Sequence, residues 1–210
     1  MSEIGNRRPL ASRDTRWAAR ASAFLARSSI TPNQISVVSI AFALAGAYLL
    51  VYLPTVAGLV LCALCVQLRL LCNLLDGMVA VEGGKQSPLG ALYNEFPDRI
   101  ADSLFLVALG QAALHPWIGW LAALLAALTA YVRVSGGSLG LAQDFRGPMA
   151  KPHRMAIMTL ACLVGAVELA VSGTRFALLV AVAVIAVGSA VTCITRSRGI
   201  AVQLRARASP

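Results

Sequence analysis

Two short runs of polar residues in the middle of this sequence stand at helical spacing. Asn94, Asp98 and Asp102 fall at i, i+4 and i+8, an interval that stacks three oxygen-bearing side chains on one helix face. Arg69, Asn73 and Asp76 fall at i, i+4 and i+7 and do the same on a second helix. Five of the nine acidic residues (Asp76, Glu82, Glu95, Asp98 and Asp102) lie between positions 76 and 102. Clustered carboxylates repel one another unless a cation sits among them, and hard oxygen donors suit Mg²⁺ or Mn²⁺. A solvated, helix-capping loop accounts for Glu82 and Glu95. It accounts poorly for Asp98 and Asp102, because Asp102 leads straight into an uncharged stretch from Ser103 to Val132. A charge carried to a bilayer centre costs about 2.5–3.5 kcal/mol, so charges bordering apolar spans usually serve function.

The elements that must hold these residues follow from composition. Of the 210 residues, 58% are hydrophobic and 13% charged, against roughly half and a quarter in soluble domains. The apolar residues come in long blocks, which excludes an ordinary water-soluble enzyme and predicts an all-α integral membrane protein. Spans are predicted at 35–53, 55–75, 97–114, 117–135, 154–172 and 175–195, six in all. Thr31-Pro32-Asn33 reads as a helix start, and Pro54, His115-Pro116 and Ser172-Gly173 as breaks. Residues 12–28 carry Trp17, Ala21, Phe24 and Leu25 on one face, with Arg13, Arg16, Arg20 and Arg27 largely elsewhere. That pattern predicts an amphipathic helix lying in the membrane interface. One domain is expected over 1–210, made of a basic segment (1–30), the six-helix bundle (31–196) and a basic tail (197–210). Loops are expected at 76–97 and 136–152.

Eighteen basic residues against nine acidic ones give a net charge of +9. Arg7, Arg8, Arg13, Arg16, Arg20 and Arg27 precede the first span; Arg196, Arg198, Arg205 and Arg207 follow the last. Basic residues collect on the cytoplasmic side, which predicts both termini and the two polar loops there. Anionic lipid is the expected partner of this charge, and no nucleic-acid motif accompanies it. Cys62, Cys65, Cys72, Cys162 and Cys193 all lie in apolar blocks and read as packing residues, not as a disulfide framework.

The run Asn73-x2-Asp76-Gly77-x2-Ala80-Val81-x8-Gly90-x3-Asn94-x3-Asp98 resembles the signature of the CDP-alcohol phosphotransferases, Asp-x2-Asp-Gly-x2-Ala-Arg-x8-Gly-x3-Asp-x3-Asp. The spacing fits throughout, and the resemblance extends to the amphipathic helix, the Thr-Pro-Asn entry and the six spans. It implies a membrane enzyme of phospholipid synthesis. Such an enzyme moves a phosphatidyl-type group from a CDP-linked lipid to an acceptor alcohol and releases CMP. It further implies a divalent ion, Mg²⁺ or Mn²⁺, with Asp76, Asp98, Asn73 and Asn94 at the metal positions and Asp98 as general base. Asp76, Gly77, Ala80 and Gly90 fall at nucleotide-binding positions. The Lys151–Arg154 segment resembles the acceptor-phosphate region of members acting on phosphorylated polyols; Lys151, Arg154, Arg133 and Arg69 are the candidate phosphate-binding residues. A cell-membrane location is implied, and a homodimer is allowed.

Three positions depart from the signature: Asn73, Asn94 and Val81 stand where the family has Asp, Asp and Arg. An amide offers a carbonyl oxygen without charge. Asp102, one turn past Asp98, is the expected source of the missing charge and a fifth candidate ligand, whereas Arg69, one turn before Asn73, adds a fixed cation. Counted this way, the site balances one divalent ion. The rival readings are a degenerate relative that binds lipid or nucleotide without transfer, and a small ion transporter. The transporter reading is the weaker, because the acids gather at one membrane face. Single-cysteine labelling near Ser12, Lys85 and Gln143 is expected to report one sidedness, opposite to that near Pro116. Any of the three on the Pro116 side overturns the topology.

Overall fold

The computed structural model describes residues 15–208. The expected polar start, with Arg7, Arg8 and Arg13, lies outside the described residues. Among those described there are seven helices and no strand: α1 (Arg16–Arg27), α2 (Pro32–Tyr52), α3 (Val56–Val81), α4 (Gly90–Ala112), α5 (Pro116–Ser138), α6 (Lys151–Ser172) and α7 (Phe176–Ala208). Five of them, α2, α3, α5, α6 and α7, are long and apolar enough to cross a membrane. Helix α4 has the length, 23 residues, but carries Glu95, Asp98, Arg99 and Asp102 within its first 13 positions.

Local chemistry explains the helix starts. Thr31 Oγ1 accepts from the Gln34 backbone N–H at 3.3 Å, and Gln34 Oε1 accepts from the Thr31 N–H at 2.9 Å. This reciprocal capping box, with Pro32 in the first turn, satisfies backbone donors that the helix leaves open. Thr55 Oγ1 caps α3 through the Gly58 N–H. Pro116 and Pro152 stand in the first turns of α5 and α6.

Three boundaries differ from the sequence reading. Helix α3 runs on to Val81 and α4 starts at Gly90, so Asp76 and Asn94 lie inside helices and the loop shrinks to 82–89. The polar residues continue α3 because Asp76 is buried and bonded; the chain turns only at Gly83-Gly84, where Gly84 has φ 65°. The loop between α5 and α6 is likewise only 139–150. Helix α7 does not stop near 195: residues 197–208, read as a tail, are helical. No proline interrupts them, and Arg196 is held through its guanidinium by the carbonyls of Arg146 and Thr129.

The six long helices close a ring in the order α2, α4, α5, α7, α6, α3, with α4 and α7 also touching across it. Its interior is rich in alanine (Ala43, Ala63, Ala101, Ala108, Ala122, Ala126), with Phe105, Leu109, Met155 and Met158 filling the centre. Small residues let membrane helices approach closely. The outward faces carry Leu44, Leu64, Trp117, Trp120, Leu124, Val164, Val167 and Val184 exposed, the reverse of a soluble protein. Helix α1 rests on α3 through Ala18, which packs with Leu74 and Met78. Trp17 and Phe24, expected on its apolar face, are exposed.

The tightest approach is between α4 and α5. A Cβ on Gly110 would stand 2.5 Å from the Gly119 Cα, and one on Gly119 2.8 Å from the Leu106 carbonyl oxygen. Backbone cannot give way as a flexible side chain does. Gly110→Val is expected to cost about 1–3 kcal/mol and to lower the thermal midpoint in detergent by roughly 2 °C or more. Gly90→Ala, whose Cβ would meet nothing within 4 Å, should leave that midpoint unchanged.

Candidate active site

One end of the ring encloses a cavity of about 810 Å³, within the range of small-molecule sites. Its walls come from the start of α2 (Asn33, Ser36), the second half of α3, the first turns of α4 and α6, the end of α5 and Arg196 of α7. Helix geometry fixes the acids there. Asp76 sits on α3, five residues before its end; Asp98 and Asp102 sit one turn apart on α4.

Asp98 faces the cavity and is surrounded by donors. Its Oδ1 accepts from Arg69 Nη2 at 3.1 Å and from Asn73 Nδ2 at 2.8 Å. Its Oδ2 pairs with Lys151 and, at 3.7 Å, with Arg99. One turn deeper, Asp102 Oδ1 accepts from the same Arg69 Nη2 at 2.9 Å, and Oδ2 from Arg154 Nη2 at 2.7 Å. Arg154 is fixed further by the Met149 carbonyl at 2.8 Å. Arg69 is 0% and Arg154 1% exposed, so these are full charges taken from solvent, tolerable only because each meets a carboxylate. Asp76 accepts from Ser36 Oγ at 2.6 Å.

The structure brings most of the sequence-predicted residues to this one cavity. Asn73, Asp76, Gly77 and Ala80 line it from α3; Gly90, Asn94 and Asp98 from α4; Arg133 from α5; Lys151 and Arg154 from α6. Arg69 and Asp102 do not line it, and lie beneath it as a buried ion pair. Arg133 pairs with Glu95 and Gln143 and stacks on Phe145, with 5.3 Å from guanidinium to ring centre. His153 is exposed. Sequence reasoning missed Ser36, Arg99, Thr129 and Arg196, all on the wall. Arg99, next to Asp98, carried a signal; Ser36, Thr129 and Arg196 are joined to the site only by folding. Beside the cavity, Arg146 donates to both carboxylate oxygens of Asp144, and these bonds hold the Asp144 carboxyl below the usual carboxylate range.

Among the described residues, no three His, Cys, Asp or Glu side chains converge as a ready-made metal cage. The oxygen donors on the wall include the Asp76 and Asp98 carboxylates and the amides of Asn73 and Asn94. Hard donors of this kind suit Mg²⁺ or Mn²⁺. Asp102, expected as a further ligand, has both oxygens committed to arginines.

A cavity at one end of a bundle of membrane-length helices, with cations and carboxylates on its wall, suits an anionic substrate at a membrane. The chain belongs to the CDP-alcohol phosphatidyltransferase family, which its residues 29–194 match. An archaetidylinositol phosphate synthase of Aeropyrum pernix is 37% identical over 150 residues, covering 70% of this chain and 74% of that protein. A phosphatidylinositol phosphate synthase of Streptomyces avermitilis is 27% identical over 182 residues, covering 83% and 73%. The crystal structure of Mycobacterium tuberculosis phosphatidylinositol phosphate synthase with CDP-DAG bound shares the fold, with a TM-score of 0.73 and 24% identity over 89% of this chain and 94% of that one. The same synthase in complex with manganese and citrate superposes with a TM-score of 0.72 at 24% identity, over 87% of this chain and 88% of that one.

Removing Asp102 leaves buried Arg154 with no carboxylate and buried Arg69 with Asp98 alone. Asp102→Ala is therefore expected to destabilise the protein by about 3–5 kcal/mol, read as loss of monodisperse protein on heating. Asp102→Asn, which keeps an acceptor oxygen, should lose less. Equal stability of wild type and Asp102→Ala would show that the ion pairs do not hold the site together.

Proposed function

We propose that this chain transfers a phosphatidyl-type group from a CDP-linked lipid to an acceptor alcohol, a phosphorylated polyol, and releases CMP. The observation that carries this reading is Asp98, a carboxylate on the cavity wall ringed by Arg69, Asn73, Lys151 and Arg99. The acceptor hydroxyl gives its proton to the Asp98 carboxylate. Its oxygen bonds to the lipid-side phosphorus as the phosphorus–oxygen bond to CMP breaks. Lys151, a fifth exposed along its side chain, exchanges Asp98 for a substrate phosphate. Arg133 from α5 and Arg154 from α6 hold phosphate charge. Gly77, Ala80 and Gly90 leave room for the nucleotide against the backbone. A Mg²⁺ or Mn²⁺ ion held by Asp76, Asp98 and the amide oxygens of Asn73 and Asn94 would neutralise the diphosphate and stabilise the leaving CMP.

The phosphorylated acceptor is supported by the surplus of cations on the wall and by the names of the two inositol phosphate synthases among the relatives. In this reading α4 is the sixth span, its charges matched inside the ring, and α1 lies at the interface with Trp17 and Phe24 turned outward. Both termini face the cytoplasm of a cell membrane, and the protein assembles as a homodimer.

Purified protein given a CDP-linked lipid and candidate polyol phosphates should release CMP only when an acceptor is present. Asp98→Asn is expected to lower that rate by about 10²–10⁴-fold with an unchanged elution profile. Near-wild-type turnover of the variant overturns the base assignment. Nucleotide binding without any CMP release marks the chain as a binder that has lost transfer.

A further inference from the structure

We propose that Arg69 is a resident cation standing in for a divalent ion, so that the substrate-free site binds at most one metal. A divalent ion in a carboxylate site bridges acids that otherwise repel. Here a single guanidinium nitrogen does so: Arg69 Nη2 lies 3.1 Å from Asp98 Oδ1 and 2.9 Å from Asp102 Oδ1. Asn73 fits this arrangement and not the alternative. Its amide N–H donates to the same Asp98 Oδ1 at 2.8 Å, which an ionised aspartate at 73 cannot do. The amide at 73 and the cation at 69 are thus one device, a donor pair around one carboxylate oxygen.

The charge count points the same way. Asp76, Asp98 and Asp102 are opposed by Arg69, Arg99, Lys151 and Arg154, each paired with Asp98, Asp102 or both. The cluster carries no net negative charge before any ion arrives. A second divalent ion would bring uncompensated buried charge, which is costly. Arg69 also keeps its place against a penalty: its Nε and Nη1 are buried and meet no acceptor in the protein. A buried guanidinium with two idle donors is not there for hydrogen bonding alone; its bridging charge is what the two carboxylates require.

This inference rests on the same site as the proposed transfer but is read by counting ions, so its failure is distinct from a failure of catalysis. Mn²⁺ is titrated into purified, substrate-free protein in detergent, and free Mn²⁺ is followed by electron paramagnetic resonance. Wild type is expected to saturate at no more than one ion per chain. The near-isosteric Asn73→Asp, with Arg69 in place, should not gain an ion. Arg69→Met combined with Asn73→Asp, checked for monodispersity, should bind one ion more than wild type. Two ions in wild type overturn the proposal. So does a second ion in Asn73→Asp alone, because Arg69 would then not be what excludes it. A monodisperse double variant that gains nothing overturns it as well.

Discussion

The constraint on which this structure turns is that charge buried among apolar helices must be matched on the spot. Asp102 meets it with two arginines, Arg69 from α3 and Arg154 from α6. Three helices that are not all neighbours in the ring are thereby tied at one depth. None of the three groups is affordable alone: an unmatched buried ion leaves several kcal/mol uncompensated. The match decides the register of α3, α4 and α6, and register decides where Asp76, Asn73, Asp98 and Lys151 reach the cavity. The reactive wall is therefore a consequence of the ion pairs beneath it.

Packing does the rest by subtraction. Where α4 meets α5, Gly110 and Gly119 bring backbone against backbone. On the loop between α5 and α6, Gly147 has φ 120°, and a Cβ there would stand 2.5 Å from Thr192. That approach lets Thr192 Oγ1 accept from the Met149 N–H at 2.9 Å. The loop is thus pinned to α7 just before Lys151 and Arg154 enter α6. Glycine is used here to set the entry of the basic segment, and the cations inherit their position from it.

Much of this was legible in the sequence because it is periodic or local. The Thr31-Pro32-Asn33 start, the break at His115-Pro116 and the face shared by Asn94, Asp98 and Asp102 follow from spacing alone. The polar ends of α3 and α4 did not, since hydropathy cannot tell a buried, paired Asp76 from a solvated one. Asp102 shows the same limit from the other side. Its position one turn past Asp98 suggested a shared ligand set, but its partners Arg69 and Arg154 lie 33 and 52 residues away in the chain. Ser36, 40 residues from Asp76, is likewise joined to it only by the fold. Which acid faces a cavity and which faces a guanidinium is a fact of three-dimensional pairing, and one sequence does not carry it.

Below the ion pairs the ring is filled. Phe105, Leu106, Leu109, Met155, Met158, Leu178 and Ile185 are all essentially inaccessible. The cavity is therefore a well with a dry floor and not a channel. A membrane that holds such a protein stays closed to protons and ions, although a recess with several charges reaches into it. The floor also fixes traffic: a water-soluble molecule that enters must leave through the mouth by which it came.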